Sequence, residues 1–307
     1  MHVAVLQKEV LDALDLKVNS VVVDATYGGG GHAKLICKAL GKSGVYVGID
    51  ADETAFISNP MTVDDFSTTI HLVNDNFSNL DQILSSLNIK KVDAILADLG
   101  WRTDQFVSGG KGFSFLSEEP LIMTFGKPES YLFTAHDIIN NWSEEDIANV
   151  LYGYGDERYS RRISRAIVES RKESSIETAK QLADIITRSL PKHLQRKPIN
   201  PATKSFQALR IAVNDELKKL ESFIEQSADR LSENGRLAII SFHSIEDRIV
   251  KLMFRDLVSN GEFELVTKKP ISASPEELLQ NPKARSAKLR IIKKIKNQSL
   301  PTNYYEQ

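Results

Sequence analysis

Only one cysteine, Cys37, stands in the 307 residues. An internal disulfide is excluded, and so is a metal site built on several thiolates. This thiol usage fits a reducing, cytosolic compartment. No apolar run reaches 18 residues, so no membrane-spanning helix is expected. The opening "MHVAVLQKEVLDAL" lacks a basic stretch followed by an apolar one, and it carries Glu9 and Asp12. It reads as the start of a domain, neither a signal nor a transit peptide. Internal repeats and low-complexity tracts are missing. No His/Cys/Asp group has metal-ligand spacing, and no strand–nucleophile–helix elbow suggests a Ser/His/Asp hydrolase. A strong net charge is lacking too: the formal value is −2, so the chain as a whole is not a polycation.

The composition, 41% hydrophobic and 26% charged, is that of an ordinary globular protein with room for one large domain or two smaller ones. Short apolar runs alternate with helical patterns. "VVVDAT" (21–26), "VYVGID" (45–50), "TIHLVN" (69–74) and "VDAILADLG" (92–100) are rich in Val and Ile and bounded by Gly, Asp or Asn. Each predicts a buried strand of a parallel sheet. "HAKLICKAL" and "LDQILSSL" between them predict helices, so the rhythm is α/β and doubly wound. It stops near residue 104. From there to 205 the spacing is helical, with Ile163, Ala166 and Ile167 on one face. Thr178 and Gln181 form a capping-box pattern. Asn200-Pro201 predicts the start of one long helix to about 231. "NGRLAIISFH" (234–243) restores a buried strand, and "FELVTKKP" and "AKLRIIKKI" predict two more, antiparallel at the sheet edge. The expected organisation is a discontinuous α/β domain, 1–104 with 206–307, carrying an all-helical insert at 105–205.

Four consecutive glycines follow the first strand in "DATYGGGGHAK". Glycine loses the most backbone freedom on ordering, so such a run implies that something lies close to bare backbone. A Walker A loop is excluded, because Gly31 is followed by His32 and not by Lys-Ser/Thr. A dinucleotide fingerprint fits formally: Gly28, Gly30 and Ala33, with Asp50 at the end of the second strand. S-adenosylmethionine, which carries no phosphate, fits the same strand–glycine–helix turn. Asp24 favours it, since a carboxylate there would oppose a pyrophosphate and welcome an ammonium. An N-cap role for Asp24 is the structural alternative. The fourth strand ends in Asp98, at the edge where open α/β sheets bind ligands. With the carbonyls of Leu99 and Gly100 it could orient an exocyclic amine for methylation; a turn-forming Asp is the plainer reading. Phe77 serves either an adenine ring or the core. His243 reads as a structural histidine more than a substrate contact, and Ser244 with Asp247 as a helix cap. Two basic blocks, thirteen Lys/Arg against four acids at 158–210 and seven against none at 283–296, suggest a local anionic partner or solvated helix faces.

The residues resemble one family, the bacterial MraW/RsmH-type 16S rRNA (cytidine-N4) methyltransferases. The likeness runs through "HVAVLQKEVLDAL", "DATYGGGGHAK", "KGFSF", "YGDERYSRRISRAI", "NPATKSFQALRIAVNDEL", "GRLAIISFHSIEDRIVK" and "NPKARSAKLR". It implies a Rossmann-like methyltransferase sheet with a helical insert. It implies methyl transfer from S-adenosylmethionine to N4 of a decoding-region cytidine. By position it places cofactor contacts on Gly30, Gly31, His32, Asp50, Phe77, Asp98 and Gln105. It makes 16S rRNA of the small ribosomal subunit the partner, with Arg158, Arg161, Arg162, Lys204 and Arg210 as candidates for phosphate contact. A homodimer is a further expectation. The chain departs from the family pattern on the substrate side. "DLGWRT" brings Trp101, Arg102 and Thr103, Lys111 replaces an Arg, and "PLIMT" puts Ile122 and Thr124 where Asp and Arg are usual. Asn200 stands for a His. These departures raise the alternative of a diverged member that binds cofactor and ribosome with weak or altered activity. An NAD-dependent oxidoreductase is the remaining alternative.

Overall fold

The computed structural model describes residues 4–61, 66–99, 110–195 and 200–295. The chain forms two compact units, one of Met1–Gly100 with Lys219–Gln307, the other of Trp101–Lys218. The second unit extends past the boundary expected at residue 205.

The first part of the sheet unit comprises α1 (Gln7–Leu14), β1 (Val21–Asp24), α2 (Gly31–Ala39), β2 (Val45–Asp50), α3 (Thr54–Ser58), β3 (Thr69–Asn74), α4 (Leu80–Ser86) and β4 (Val92–Asp98). The helical unit holds α5 (Ala135–Asn141), α6 (Glu144–Gly155), α7 (Ser160–Glu173), α8 (Ala179–Ser189), α9 (Lys192–Gln195) and α10 (Thr203–Asn214). After α11 (Glu216–Arg230) come β5 (Leu231–Ser241), α12 (Ser244–Ser259), β6 (Phe263–Leu265), α13 (Pro275–Gln280) and β7 (Lys288–Lys294).

The seven strands make one sheet in the order β3-β2-β1-β4-β5-β7-β6. The first five are parallel, and β7 runs antiparallel to both its neighbours. This confirms the expected edge. Side chains alternate across the sheet as strand geometry requires. Val22, Tyr46, Leu96, Ile240 and Leu289 enter one core with α1 and α2. Val23, Val47, Ile95, Ile239 and Ile292 enter the other with α4, α11 and α12. Both faces are covered along β1, β2, β4 and β5, which is why those strands read as apolar runs; β3, at the edge, has no buried residue and corrects the expectation of a buried strand.

β5 ends at Ser241, two residues earlier than expected. The next residues are claimed by a helix cap. His243 Nδ1 accepts the Glu246 N–H at 3.3 Å, and the Glu246 carboxylate takes the Phe242 and His243 N–H groups. The cap is therefore His243 with Glu246, and the Ser244–Asp247 expectation is corrected. Asp247 instead binds Arg290 at 2.7 Å and Lys288 at 3.1 Å.

The helical unit packs Ile147, Leu151, Ile163, Ile167, Leu182, Ile186 and Leu209 into its own core. Thr178 and Gln181 form the expected capping box. The single long helix expected from 201 is two helices. Asp215 turns left-handed (φ 49°) and donates its N–H to the Ile211 carbonyl, closing α10. At that end Asn214 is a buried hub. It accepts from the Phe125 N–H at 2.9 Å and donates to the carbonyls of Met123 and Arg210 at 2.8 and 2.9 Å. Through it the 121–126 segment is bound to α10. Thr124 is fully buried, with its hydroxyl on the Gly126 carbonyl, and Lys111 donates to the carbonyls of Phe125 and Gly126. The departures at Thr124 and Lys111 thus serve the packing of their own loop.

Replacing Asn214 by Ala strands a buried N–H and a buried carbonyl. The Asn214→Ala variant is expected to lose about 2–4 kcal/mol, read from urea unfolding followed by circular dichroism. A loss under about 0.5 kcal/mol would show that the hub carries no weight.

Candidate active site

The carboxyl ends of β1, β2 and β4 lie side by side where the strand order turns outward from β1, the position at which open α/β sheets form their crevice. The backbone is tied together there. Ala25 N–H reaches the Leu96 carbonyl and Tyr27 N–H the Ile49 carbonyl, both at 2.8 Å. The Asp98 N–H donates to Thr26 Oγ1 at 2.6 Å. The glycine turn then enters α2. Gly30 has φ +69°, a conformation that side chains resist. A Cβ at Gly31 would lie 2.7 Å from the Ala4 Cβ, so the segment before α1 rests on the turn. That segment is held in turn by Glu277 of α13, whose carboxylate accepts the Leu6 N–H at 2.7 Å. At the start of α2 no side chain caps the helix, which leaves its first N–H groups for a ligand.

His32 sits in the first turn of α2 and is 6% exposed. Its Nε2 lies 3.7 Å from Asp98 Oδ2, within ion-pair reach and beyond hydrogen-bond length. Neither ring nitrogen finds a hydrogen-bond partner among the described residues. Burial pulls the imidazole pKa down, but Asp98, Asp24 and Glu277 outweigh it and hold it above 6.5. Asp50 closes the second strand. Its two carboxylate oxygens accept the N–H groups of Gly28 and Asp52 at 2.8 and 2.9 Å. Phe77, in the short helical turn after β3, is half-buried and meets Phe223 edge-on at 5.1 Å.

The structure brings Gly30, Gly31, His32, Asp50, Phe77 and Asp98 to this one edge of the sheet unit. Gln105, Gly100, Trp101, Arg102 and Thr103 lie outside the described residues. Asp24, expected as a cofactor contact, is 1% exposed, and Thr26 N–H and Tyr46 OH donate to its carboxylate at 3.2 and 2.9 Å. Burial, moderated by His32, Tyr46 and Thr26, pushes its pKa up to about 6. Sequence reasoning passed over Tyr46 and Thr26. The signal was present for Tyr46: a tyrosine inside a fully buried strand needs a partner for its hydroxyl.

The basic residues separate in the same way. Arg210 is buried and grips Glu216 with two 2.8 Å hydrogen bonds, so it is removed from the phosphate-contact set. It braces the turn into α11. The block at 283–296 is largely consumed in the sheet: Lys288 and Arg290 by Asp247, Lys293 by Glu264, Lys294 by the Ala228 carbonyl. Lys204 is exposed and donates to the Asp156 carbonyl at 2.9 Å. Arg158, Arg161 and Arg162 are exposed.

A dinucleotide-binding sheet continues 4-5-6 beyond its first strands. Here the reversed β7 is inserted between β5 and β6. That order, with the glycine turn and the acids at the strand ends, is a Rossmann-like sheet, and the family match places it among the S-adenosylmethionine-dependent methyltransferases. The chain belongs to the MraW methylase family, whose model matches residues 1–295. Curated relatives named ribosomal RNA small subunit methyltransferase H align over nearly full length. The protein of Clostridium botulinum (strain 657 / Type Ba4) is 42% identical over 96% of this chain and 99% of its own. That of Sulfurihydrogenibium sp. (strain YO3AOP1) is 44% identical over 96% and 99%. That of Ehrlichia chaffeensis is 44% identical over 96% and 100%. The residues present fit the cofactor: an orphaned buried imidazole, uncapped helix N–H groups, a strand-end carboxylate for a ribose diol and a flanking aromatic.

Two groups here hold protons that the unfolded chain gives up. Asp24 ionises near 6 in place of 3.8, and His32 above 6.5. Stability therefore falls as pH rises from about 4 to 6 through Asp24, and falls further as pH passes through the His32 range. In the Asp24→Asn variant the first step disappears. Between pH 4 and 7 its unfolding free energy, measured against the parent by urea titration, is expected to shift in its favour by about 3 kcal/mol. Parallel pH curves for the two proteins would refute this assignment.

Proposed function

We propose that this protein methylates N4 of a cytidine in the decoding region of small-subunit rRNA, in the cytosol, using S-adenosylmethionine. The observation that carries the reading is His32 and Asp98 standing within ion-pair reach at the glycine turn, with neither imidazole nitrogen hydrogen-bonded among the described residues. The full-length similarity to small-subunit rRNA methyltransferases supports the substrate.

S-adenosylmethionine, when bound, supplies an electrophilic methyl group on a sulfonium sulfur. Asp98 accepts a hydrogen bond from the cytosine amine and so fixes the direction of its nitrogen. As the N–C bond forms and the S–C bond breaks, the amine sheds a proton, and the Asp98 carboxylate is the acceptor in reach. His32, whose proton affinity the surrounding carboxylates raise, lies within ion-pair reach of Asp98 and steadies its position. The Thr26 bond to the Asp98 N–H fixes the strand end from which that side chain projects. Asp50 takes the ribose hydroxyls and Phe77 the adenine side. The gain in rate comes mainly from alignment. The target base must be unstacked, since its amine edge is occupied in paired RNA.

The diverged, non-methylating reading rests on Ile122 and Thr124. Thr124 is explained by packing within its own loop, so the structure adds nothing in its favour.

The purified protein is expected to methylate small subunits isolated from cells lacking the modification, with N4-methylcytidine detected by mass spectrometry of the decoding-region fragment. Asp98→Asn should lower kcat by roughly 10²-fold or more while the fold is retained. Cofactor binding without any methyl incorporation would sink the proposal and favour the diverged reading.

A further inference from the structure

The helical unit contains a cavity of about 560 Å³ between the outer face of α6 and the turn that leads into α7. Asn149 and Tyr152 line it from α6; Arg158, Tyr159, Arg161 and Arg162 line it from the turn and the first residues of α7. The volume falls in the range of small-molecule pockets.

Several cations elsewhere in this unit are engaged. Arg165 pairs with Glu144, Lys172 with Glu169, Lys180 with Glu118 and Arg210 with Glu216, while Arg171 donates to the carbonyls of Ile139 and Trp142. The side chains of Arg158, Arg161 and Arg162 differ: none makes an ion pair or hydrogen bond among the described residues. Two of them occupy the first turn of α7, which contains no acidic residue, and its cap residue Tyr159 supplies no side-chain hydrogen bond. Cations at the positive end of a helix repel it, and an anion relieves all of these charges together.

The turn beneath them is well fixed. Asp156 is left-handed (φ 47°) and closes α6 on the carbonyls of Leu151 and Tyr152. Glu157 is buried and accepts the Tyr159 N–H at 2.9 Å. Its N–H returns to the Leu151 carbonyl at 3.2 Å. Gly155 permits close packing, since a Cβ there would lie 2.6 Å from the Lys204 carbonyl on α10. The arginines therefore stand on a preorganised base. Tyr152 is 64% exposed beside them, an aromatic ring left on the rim of a cationic cavity.

We infer that this cavity binds one unstacked nucleotide of the substrate RNA, a nucleotide other than the methylated cytidine. Its phosphate lies on Arg158, Arg161 and Arg162, and its base stacks on Tyr152. Guanidinium forks match phosphate oxygens, and aromatic stacking holds any base, so the contact positions the RNA without reading sequence. The inference rests on the RNA substrate proposed above.

The test uses the full-length protein and a labelled single-stranded RNA oligonucleotide, alongside an abasic oligonucleotide of the same length. The triple variant Arg158→Ala, Arg161→Ala, Arg162→Ala should bind both about tenfold or more weakly, with the salt dependence of log K reduced by roughly 2. Tyr152→Ala should weaken binding of the base-bearing RNA several-fold and leave the abasic one unchanged; Tyr152→Phe should restore the parent affinity. Cofactor affinity should stay at the parent value in all variants, which also verifies folding. An unchanged salt slope in the triple variant overturns the inference, as does an equal loss for both oligonucleotides in Tyr152→Ala. Failure of the parent protein to methylate small subunits would count against the proposed reaction, whereas the oligonucleotide titrations read the cavity by itself.

Discussion

The hydrogen bond from the Asp98 N–H to Thr26 Oγ1 joins the ends of β4 and β1 at the point where the sheet order turns. Everything chemical in the sheet unit depends on that junction. Thr26 N–H also holds Asp24, and Asp24 holds Tyr46 of β2. Three neighbouring strands are thus pinned to one another directly beneath the glycine turn. The turn can then place His32 over Asp98 without a hydrogen bond of its own. In a close-packed interior such a geometry persists only because the surrounding backbone is over-determined.

Electrostatics explains why an imidazole can be buried there without a hydrogen bond. Desolvation disfavours the imidazolium, yet Asp98, Asp24 and Glu277 more than compensate. Burial above all makes Asp24 ionise late, with a small addition from the Asp98 charge. The site therefore gathers carboxylates around one imidazole. That arrangement suits a ligand with a positive sulfur and amine and is unsuited to a pyrophosphate.

In the helical unit the useful quantity is the remainder after internal pairing. A basic run signals an anionic partner only where its charges are left over. At 283–296 three of the seven are spent on Asp247 and Glu264 within the sheet unit, and Lys294 on a backbone carbonyl. At 158–162 they are not, because the turn after α6 buries its own acid, Glu157, against a backbone N–H. Composition alone gives the two blocks the same meaning.

Strand positions, the Thr178 capping box, the antiparallel edge and the α/β class were legible in the sequence, because alternation, β-branching and cap chemistry act over a few residues. Gly30, Asp50 and Asp98 were legible as site candidates for a similar reason, each following directly from a strand end or from the turn after it, whereas His32 entered only through the family resemblance. The long helix from 201 was misread, since Asp215 is left-handed only in the company of Asn214 and the distant 121–126 segment. The directions of Asp24 and Arg210 were likewise beyond local reading. Whether a charged side chain faces a ligand or the core is decided by partners far along the chain, Tyr46 for one and the turn into α11 for the other. Sequence determined which backbone elements form and in what order, and tertiary structure decided which charges remain free, because desolvation and pairing depend on neighbours that only folding assembles.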